Sequence, residues 1–252
     1  MRDGRPFTEV AVGVLIRPDG AVLLGSRPEG KPFAGYWEFP GGKLEPGETP
    51  GEALEREMRE ELDLALGETT PWLVRTVSYP HALVRLHFRR CFSWSGEPRS
   101  MEGQEFGFFR WRELRKDRIL PLVEQTLAWT RLPERAARID LRQCPDQERE
   151  ARIRRALASG ARLLDFWLPQ GETEPPAVPG AWSGSCESGA LFRNPDPQEP
   201  VFRGGKAGSL EDGEGGDFLL LEGDGSPLEG AAAPLYLEQG RPGASQGVWQ
   251  RF

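Results

Sequence analysis

Residues 42–64, GKLEPGETPGEALEREMREELDL, decide how the first half of this 252-residue chain folds. A loop rich in Gly and Pro comes first, and Pro50 then suits the first turn of a helix. Beyond it, apolar residues recur at three- and four-residue spacing as far as Leu62, which is the pattern of a helix with one buried face. The sequence therefore predicts a loop followed by a helix over residues 50–63.

Three glutamates of this helix indicate a metal site. Glu57, Glu60 and Glu61 stand at positions i, i+3 and i+4, so their carboxylates project from one face. Like charges at that spacing repel one another, and a divalent cation such as Mg²⁺ or Mn²⁺ removes this cost, since both prefer oxygen ligands. The alternative is a solvated helix with pairs such as Glu52–Arg56 at four-residue spacing. The preceding loop favours the metal site, because its backbone carbonyls can approach the cation.

Strand-like runs surround this segment. Residues 9–17 and 21–25, separated by a Pro-Asp-Gly turn, predict a β-hairpin. Residues 72–79 and 83–94 predict a second antiparallel pair. The remaining elements predicted in this half are a strand over 35–40, a strand over 105–111 and a helix over 121–130. Strands and helices that alternate in this way predict a mixed sheet covered by helices.

The second half begins differently and then loses its regular pattern. A strand, a helix and a strand are predicted at residues 137–143, 147–159 and 161–167, which together make a βαβ unit. From Gln170 onward Gly and Pro are frequent, as is typical of irregular structure. Two apolar islands, 217–222 and 234–238, predict buried parallel strands.

Composition and charge restrict the class of protein. The net charge is −7, most of it in the second half, so neither half has the basic excess of a nucleic-acid binder. No apolar run approaches the roughly 20 residues that span a bilayer, and the N-terminus lacks a signal-peptide core. Three cysteines without metal-ligand spacing fit a reducing compartment. We expect a cytoplasmic chain of two domains, 1–133 and 134–252, with neither a membrane nor a nucleic-acid polymer as partner.

Residues 42–64 resemble the Nudix box, G-x5-E-x7-R-E-U-x-E-E-x-G-U, in which U is aliphatic. The matching residues are Gly42, Glu48, Arg56, Glu57, Met58, Glu60, Glu61 and Leu64. The late glycine of the box is Asp63 here. That glycine closes the helix in a left-handed conformation, which Asp tolerates, so we expect the helix to keep its glutamates in place. The resemblance implies a Nudix hydrolase built as an α/β/α sandwich with a mixed sheet.

The resemblance also implies roles for single residues. Nudix hydrolases hold a metal, Mg²⁺ or Mn²⁺, on the box glutamates and on the carbonyl of the glycine before the box, here Gly41. Arg56 and Glu48 pair and hold the loop on the helix. Water attacks a phosphorus of a nucleoside diphosphate linked to another group, and a carboxylate accepts its proton. The metal ligands and catalytic residues expected on this basis are Glu57, Glu60, Glu61 and Glu102, a residue of an acidic loop; which of them is the base stays open.

The wider first half, residues 10–132, resembles the MutT branch of the family, the 8-oxo-dGTP diphosphatases, with EFPGGKLEPGETP at its centre. The substrate-binding residues expected from this resemblance are Arg27, Phe39, Lys43 and Gln125. The branch usually reads the oxidised purine with an asparagine, and the aligned residue here is Val123 or a neighbour. A valine offers neither donor nor acceptor to a base edge, so selection of 8-oxo-guanine is in question.

Three functions are therefore open. The first is Mg²⁺-dependent hydrolysis of 8-oxo-dGTP to 8-oxo-dGMP and pyrophosphate, which cleans the nucleotide pool for DNA replication and repair. The second, favoured by the missing asparagine, is hydrolysis of another nucleoside diphosphate derivative. The third is a nucleotide-sensing regulatory module, although such modules commonly lose box glutamates and none is lost here.

The second half faintly resembles thiamine-phosphate synthase, a (β/α)8 barrel, in segments such as GARLLDFWLPQ and DFLLLEGDGSPLEG. It is too short for a whole barrel, which takes about 200 residues. Asp165 and Trp167 also stand where that family has Gln and Arg. The resemblance implies a reduced, irregular α/β domain without catalysis of its own; the alternative is an unrelated α/β appendage. Its buried-looking strands predict a role in packing, in a homodimer or in contact with a partner.

Overall fold

A computed structural model describes residues 6–79, 82–101, 103–114, 118–187, 190–205, 218–221, 235–237 and 247–251. The chain divides into two compact units, Met1–Arg131 and Leu132–Phe252. Each unit contains its own cluster of buried apolar side chains. Within the described ranges, no helix has both the length and the apolar character needed to cross a membrane.

The described part of the first unit combines nine strands and two helices. The strands are β1 (Phe7–Leu15), β2 (Val22–Ser26), β3 (Trp37–Glu38), β4 (Gly41–Lys43), β5 (Ala65–Leu66), β6 (Thr69–Tyr79), β7 (Ala82–Cys91), β8 (Trp94–Ser95) and β9 (Phe106–Phe109), and the helices are α1 (Pro50–Leu62) and α2 (Pro121–Trp129). One sheet has the order β4–β1–β7–β6, a second the order β3–β2–β9, and β5 pairs with β8. Because β1 is antiparallel to β4 and parallel to β7, the expected mixed α/β fold is confirmed.

The two helices cover opposite faces of the four-stranded sheet. Ala11 of β1 belongs to the same buried cluster as Leu54 of α1. The β1–β7 and β6–β7 registers place Arg75 of β6 on the other face, since side chains alternate along a strand. There the guanidinium of Arg75 lies 5.4 Å from the ring centroid of Trp129 in α2. Helix α1 and its glutamates therefore lie on one face of this sheet, and α2 lies on the other.

The predicted hairpin between the first two strands is formed only next to its turn. Ile16 and Val22 make an isolated antiparallel bridge there. Beyond it, β1 joins the four-stranded sheet and β2 joins the three-stranded sheet, because each pairs with other strands of the chain. The predicted antiparallel pairing of β6 with β7 is confirmed, while Pro80 and His81 between them lie outside the described residues.

The described part of the second unit contains one helix and one sheet of eight strands. The elements are β10 (Arg135–Asp140), α3 (Asp146–Ala158), β11 (Leu163–Trp167), β12 (Trp182–Ser185), β13 (Ala190–Arg193), β14 (Gly204–Gly205), β15 (Phe218–Leu221), β16 (Leu235–Leu237) and β17 (Gly247–Arg251). The order is β13–β12–β11–β10–β17–β16–β15–β14, and only the β12–β13 pair is antiparallel. The βαβ unit and the parallel pairing of β15 with β16 are confirmed. The relation to a (β/α)8 barrel stays a prediction.

A buried ion pair joins two strands of this sheet. The Nε of Arg138 donates to Oδ2 of Asp165 at 2.7 Å, and the backbone N–H of Cys186 donates to Oδ1 at 2.8 Å. The side chain of Asp165 is 1% exposed. Asp165 thus neutralises a guanidinium whose charge would be costly to bury alone.

Candidate active site

Helix α1 is capped at both ends by residues of the same segment. The hydroxyl of Thr49 accepts from the backbone N–H of Glu52 at 3.3 Å, and the Glu52 carboxylate accepts from the N–H of Thr49 at 2.8 Å. At the other end, Asp63 has φ 55° and ψ 35°, and its N–H donates to the carbonyl of Arg59 at 3.1 Å. This confirms that Asp63 takes the left-handed conformation expected of the missing glycine.

Arg56 connects the loop to the helix and gathers the acidic side chains. Its Nε and Nη2 donate to the two carboxylate oxygens of Glu48 at 2.8 and 3.1 Å. Nη2 also donates to the carbonyl oxygen of Lys43 at 2.9 Å, and Nη1 donates to Glu57 at 2.9 Å and to Glu60 at 3.1 Å. The hydrogen bonds between Arg56 and Glu48 raise the pKa of the guanidinium and lower the pKa of the carboxyl. The loop is therefore held on the helix by charge-assisted bonds.

Two glycines allow the loop backbone to approach the helix and β1. A Cβ on Gly42 would lie 2.1 Å from the carboxylate carbon of Glu57, so any other residue would displace that carboxylate. Gly41 has φ 148°, and a Cβ there would lie 2.1 Å from the carbonyl oxygen of Ala11. Glycine at position 41 thus avoids a clash with backbone, and glycine at position 42 leaves the Glu57 carboxylate in its place.

The side chains on this face of α1 fit a hard divalent cation. Glu57 and Glu60 converge, because the same nitrogen of Arg56 bonds to both. The Glu57 side chain is 15% exposed and that of Glu60 is 60% exposed, so the pair extends from the loop backbone to solvent. Carboxylate oxygens are ligands that Mg²⁺ and Mn²⁺ prefer. In the residues that the structure describes, no three acidic, His or Cys side chains are already gathered around a metal position; Arg56 is the cation that brings Glu57 and Glu60 together.

The other residues expected at the site differ in how far they are buried. Lys43 is exposed at the end of β4, and Gln125 is half-buried on α2. Val123 is buried, as is Phe39, which packs edge to face on an aromatic ring of β7 with centroids 6.1 Å apart. The ring of Phe39 therefore packs inside the fold against β7, and its contact with a substrate stays a prediction. Glu102 lies outside the described residues.

Arg27 has an acidic partner that no sequence motif singled out. Its Nη1 donates to the carboxylate of Glu38 in β3, and its Nε donates to the carbonyl oxygen of Pro32 at 2.8 Å. Burial raises the pKa of the Glu38 carboxyl, although the charge of Arg27 opposes the shift. The register of β2 and β3 explains this pairing. It places Glu38 opposite Gly25, and Gly25 is two residues before Arg27.

Comparison with known proteins agrees with this geometry. Residues 7–129 match the model of the NUDIX domain, and the chain belongs to the Nudix hydrolase family of enzymes. It is 39% identical over 105 residues to the 8-oxo-dGTP diphosphatase of Haemophilus influenzae, which covers 42% of this chain and 76% of that protein. It is 30% identical over 120 residues to the 8-oxo-dGTP diphosphatase of Escherichia coli, covering 48% and 93%. It is also 44% identical over 78 residues to the CTP pyrophosphohydrolase of Escherichia coli, covering 30% and 56%.

Proposed function

We propose that the N-terminal unit is a nucleoside triphosphate pyrophosphohydrolase that requires Mg²⁺ or Mn²⁺ and releases a nucleoside monophosphate and pyrophosphate. The observation that carries the proposal is the network in which Arg56 bonds to Glu48, Glu57 and Glu60 at once. Such a network orients the acidic face of α1, as a site for a phosphate-bound cation requires. The kinship with two 8-oxo-dGTP diphosphatases supports the same reaction.

The ligands proposed for the cation are the side chains of Glu57, Glu60 and Glu61 and the carbonyl of Gly41. A bound cation neutralises phosphate charge and lowers the pKa of a water molecule. Glu102 is either a further ligand or the base. Gly42 contributes by leaving room for the Glu57 carboxylate against the loop.

The residues of this chain then have distinct parts in the reaction. Water adds to a phosphorus of the substrate, the bond from that phosphorus to the pyrophosphate oxygen breaks, and one of the carboxylates takes the proton of the water. Arg56 keeps Glu57 and Glu60 in position, and Glu48 keeps Arg56 in position. Lys43 and Gln125 are proposed to contact the substrate directly, since Lys43 is exposed and Gln125 is half-buried.

The first candidate substrate is 8-oxo-dGTP, which would give the protein a part in cleaning the nucleotide pool. The second candidate is another nucleoside triphosphate, such as CTP. Two observations favour it: the residue aligned with the purine-reading asparagine of the MutT branch is Val123 or a neighbour, and Val123 is buried and apolar; one relative is a CTP pyrophosphohydrolase.

The experiment is a competition between substrates. Purified protein with Mg²⁺ is given 8-oxo-dGTP together with dGTP or CTP, and the monophosphates and pyrophosphate are quantified. A preference for 8-oxo-dGTP of more than about 100-fold, the size of a well-placed pair of base contacts, supports the first candidate. A ratio near one supports the second. Nucleotide binding without turnover would support a sensing module in place of both.

For the second unit we propose contact with a partner or a second copy of the chain, without catalysis. The absence of catalysis is supported by two buried charges in the described part of this unit, Arg138 and Asp165, which bond to each other inside the sheet. A carboxylate already engaged by a guanidinium and a backbone N–H has little left to offer a substrate.

A further inference from the structure

An exposed aromatic side chain stands on the loop between β2 and β3. Phe33 is 61% exposed and has φ 62°, in the left-handed region. That region is unfavourable for a bulky side chain. One edge of the ring contacts Tyr36, with centroids 5.6 Å apart, and most of the ring faces solvent. A strained residue of this kind persists only where the surrounding structure holds it, and such residues cluster at ligand sites.

Arg27 and Glu38 hold the peptide group beside Phe33. The carbonyl that accepts from Nε of Arg27 belongs to the peptide joining Pro32 to Phe33. The orientation of that peptide depends on φ of Phe33, so the hydrogen bond fixes the left-handed conformation. The carboxylate of Glu38 accepts from Nη1 of the same guanidinium and fixes it in turn.

The backbone of Arg27 closes the same loop. Its N–H donates to the carbonyl of Tyr36 at 2.8 Å, and its carbonyl accepts from the N–H of Gly35 at 2.9 Å. The N–H of Tyr36 donates to the carbonyl of Phe33 at 3.0 Å. Both ends of the loop are therefore tied to one residue, and the ring of Phe33 stands at its exposed side.

This loop is close in sequence to the proposed catalytic centre. Glu38 is three residues before Gly41, and three residues span at most about 11 Å. Gly42, the next residue, lies against the carboxylate of Glu57. An exposed ring on the loop that leads into β3, and through β3 to the glycines against Glu57, suits a flat aromatic group that is joined to the phosphates.

We propose that Phe33 contacts the base of the nucleotide by stacking, and that Arg27 and Glu38 are positioning residues that present its ring. The inference rests on the proposed function and names the part of the substrate that the loop contacts. Every nucleobase has a π face, so this contact selects nucleosides over base-free phosphates without distinguishing one base from another.

The first test compares substrates with and without a base. Phe33→Ala is assayed on 8-oxo-dGTP, dGTP and CTP, and on methyl triphosphate, which has no base. We expect the KM for the nucleotides to rise about tenfold, as expected for a lost stacking contact, with little change in kcat. Hydrolysis of methyl triphosphate stays unchanged, and Phe33→Trp keeps a KM close to that of the unaltered protein.

Phe92→Ala is the matched control, because Phe92 is another exposed ring of the same unit, 53% exposed. It should change no kinetic constant. The positioning role is tested with Glu38→Gln, which should raise the KM for nucleotides severalfold and leave methyl triphosphate unaffected. The double variant of Phe33→Ala with Glu38→Gln should be no worse than Phe33→Ala alone, since both remove the same contact.

An unchanged KM for nucleotides in Phe33→Ala would overturn the inference. So would an equal loss on methyl triphosphate, because the loop would then act on the phosphates. If the two variants combine additively, Glu38 does not act through Phe33. If the unaltered protein hydrolyses no nucleoside triphosphate, the proposed function fails and this inference fails with it.

Discussion

Arg56 grips Glu48 with two parallel hydrogen bonds, Nε to Oε1 at 2.8 Å and Nη2 to Oε2 at 3.1 Å, while its third nitrogen bonds to two further glutamates. Only the planar, forked guanidinium can make this set of contacts, because an ammonium group offers no pair of parallel donors. One side chain thereby links the glycine-rich loop to the acidic face of α1.

We predict that Arg56→Lys lowers kcat/KM by about 100-fold, although the positive charge is kept, because a misplacement of about 1 Å at a catalytic centre can cost that much. Pyrophosphate release measures the effect. Arg59→Lys, on the exposed side of the same helix, is the control and should leave the rate unchanged. A normal rate in Arg56→Lys would show that charge alone suffices.

The ion pair between Arg56 and Glu48 should make the stability of the folded protein depend on pH. The pKa of Glu48 is lower in the folded protein than its usual value, so its contribution is present above the unfolded pKa and is lost as the pH falls through the folded pKa. We predict that Glu48→Gln lowers the midpoint of thermal unfolding at about pH 6 to 7, and that the difference from the unaltered protein shrinks towards about pH 3. A difference that stays constant over this range would contradict the assignment.

Substitution by alanine should have opposite effects on the protein at two glycines that are close in sequence. At Gly42 the new Cβ would strike the Glu57 carboxylate, so we predict that Gly42→Ala lowers kcat/KM more than about tenfold. At Gly51, in the first turn of α1, the nearest atoms would be 3.5 Å away, an ordinary contact. Gly51→Ala should keep full activity and add about 0.5 kcal/mol to the free energy of unfolding, because alanine favours a helix. Equal kinetics in both variants would refute the close approach at Gly42.

How much of this could be read from the sequence depends on the range of the interactions. The bounds of α1 and the left-handed Asp63 were predictable, because neighbouring residues determine both. The partners of β1 and β2 were not, since periodicity shows which face is buried but not which distant strand will pair.

The same limit applies to the residues around the site. The bond between Arg27 and Glu38 joins residues eleven apart in the chain, and it exists only because β2 and β3 pair in one register. The same guanidinium donates to the carbonyl oxygen of Pro32, next to the left-handed Phe33, and no local motif predicts that contact. Phe39 is part of the motif around residues 38–50, but its burial against β7 depends on a strand more than 40 residues away in the chain.

The buried pair in the second unit gives a prediction for stability. Asp165→Ala would remove the buried carboxylate that accepts from Arg138 and from the N–H of Cys186, so we expect the free energy of unfolding of this unit to fall by about 3–5 kcal/mol. Denaturant unfolding followed by tryptophan fluorescence measures it. Asp146→Ala, at a side chain that is 90% exposed, should change stability by less than about 0.5 kcal/mol. Hydrolysis by the first unit should continue in both variants; a stable Asp165→Ala protein would show that the pair is dispensable.

The most direct test of the proposed catalytic centre compares two glutamates of α1. Pyrophosphate release from nucleoside triphosphates with Mg²⁺ is measured for the unaltered protein, for Glu57→Gln and for Glu55→Gln, whose side chain is exposed on another face of the helix. Charge stabilisation by a metal contributes several kcal/mol, and about 1.4 kcal/mol is a tenfold change in rate, so Glu57→Gln should lose at least about 1,000-fold. Glu55→Gln should keep the normal rate, and all three proteins should unfold at similar temperatures. A folded Glu57→Gln protein that still releases pyrophosphate at the normal rate would contradict the assignment of Glu57 to the catalytic centre.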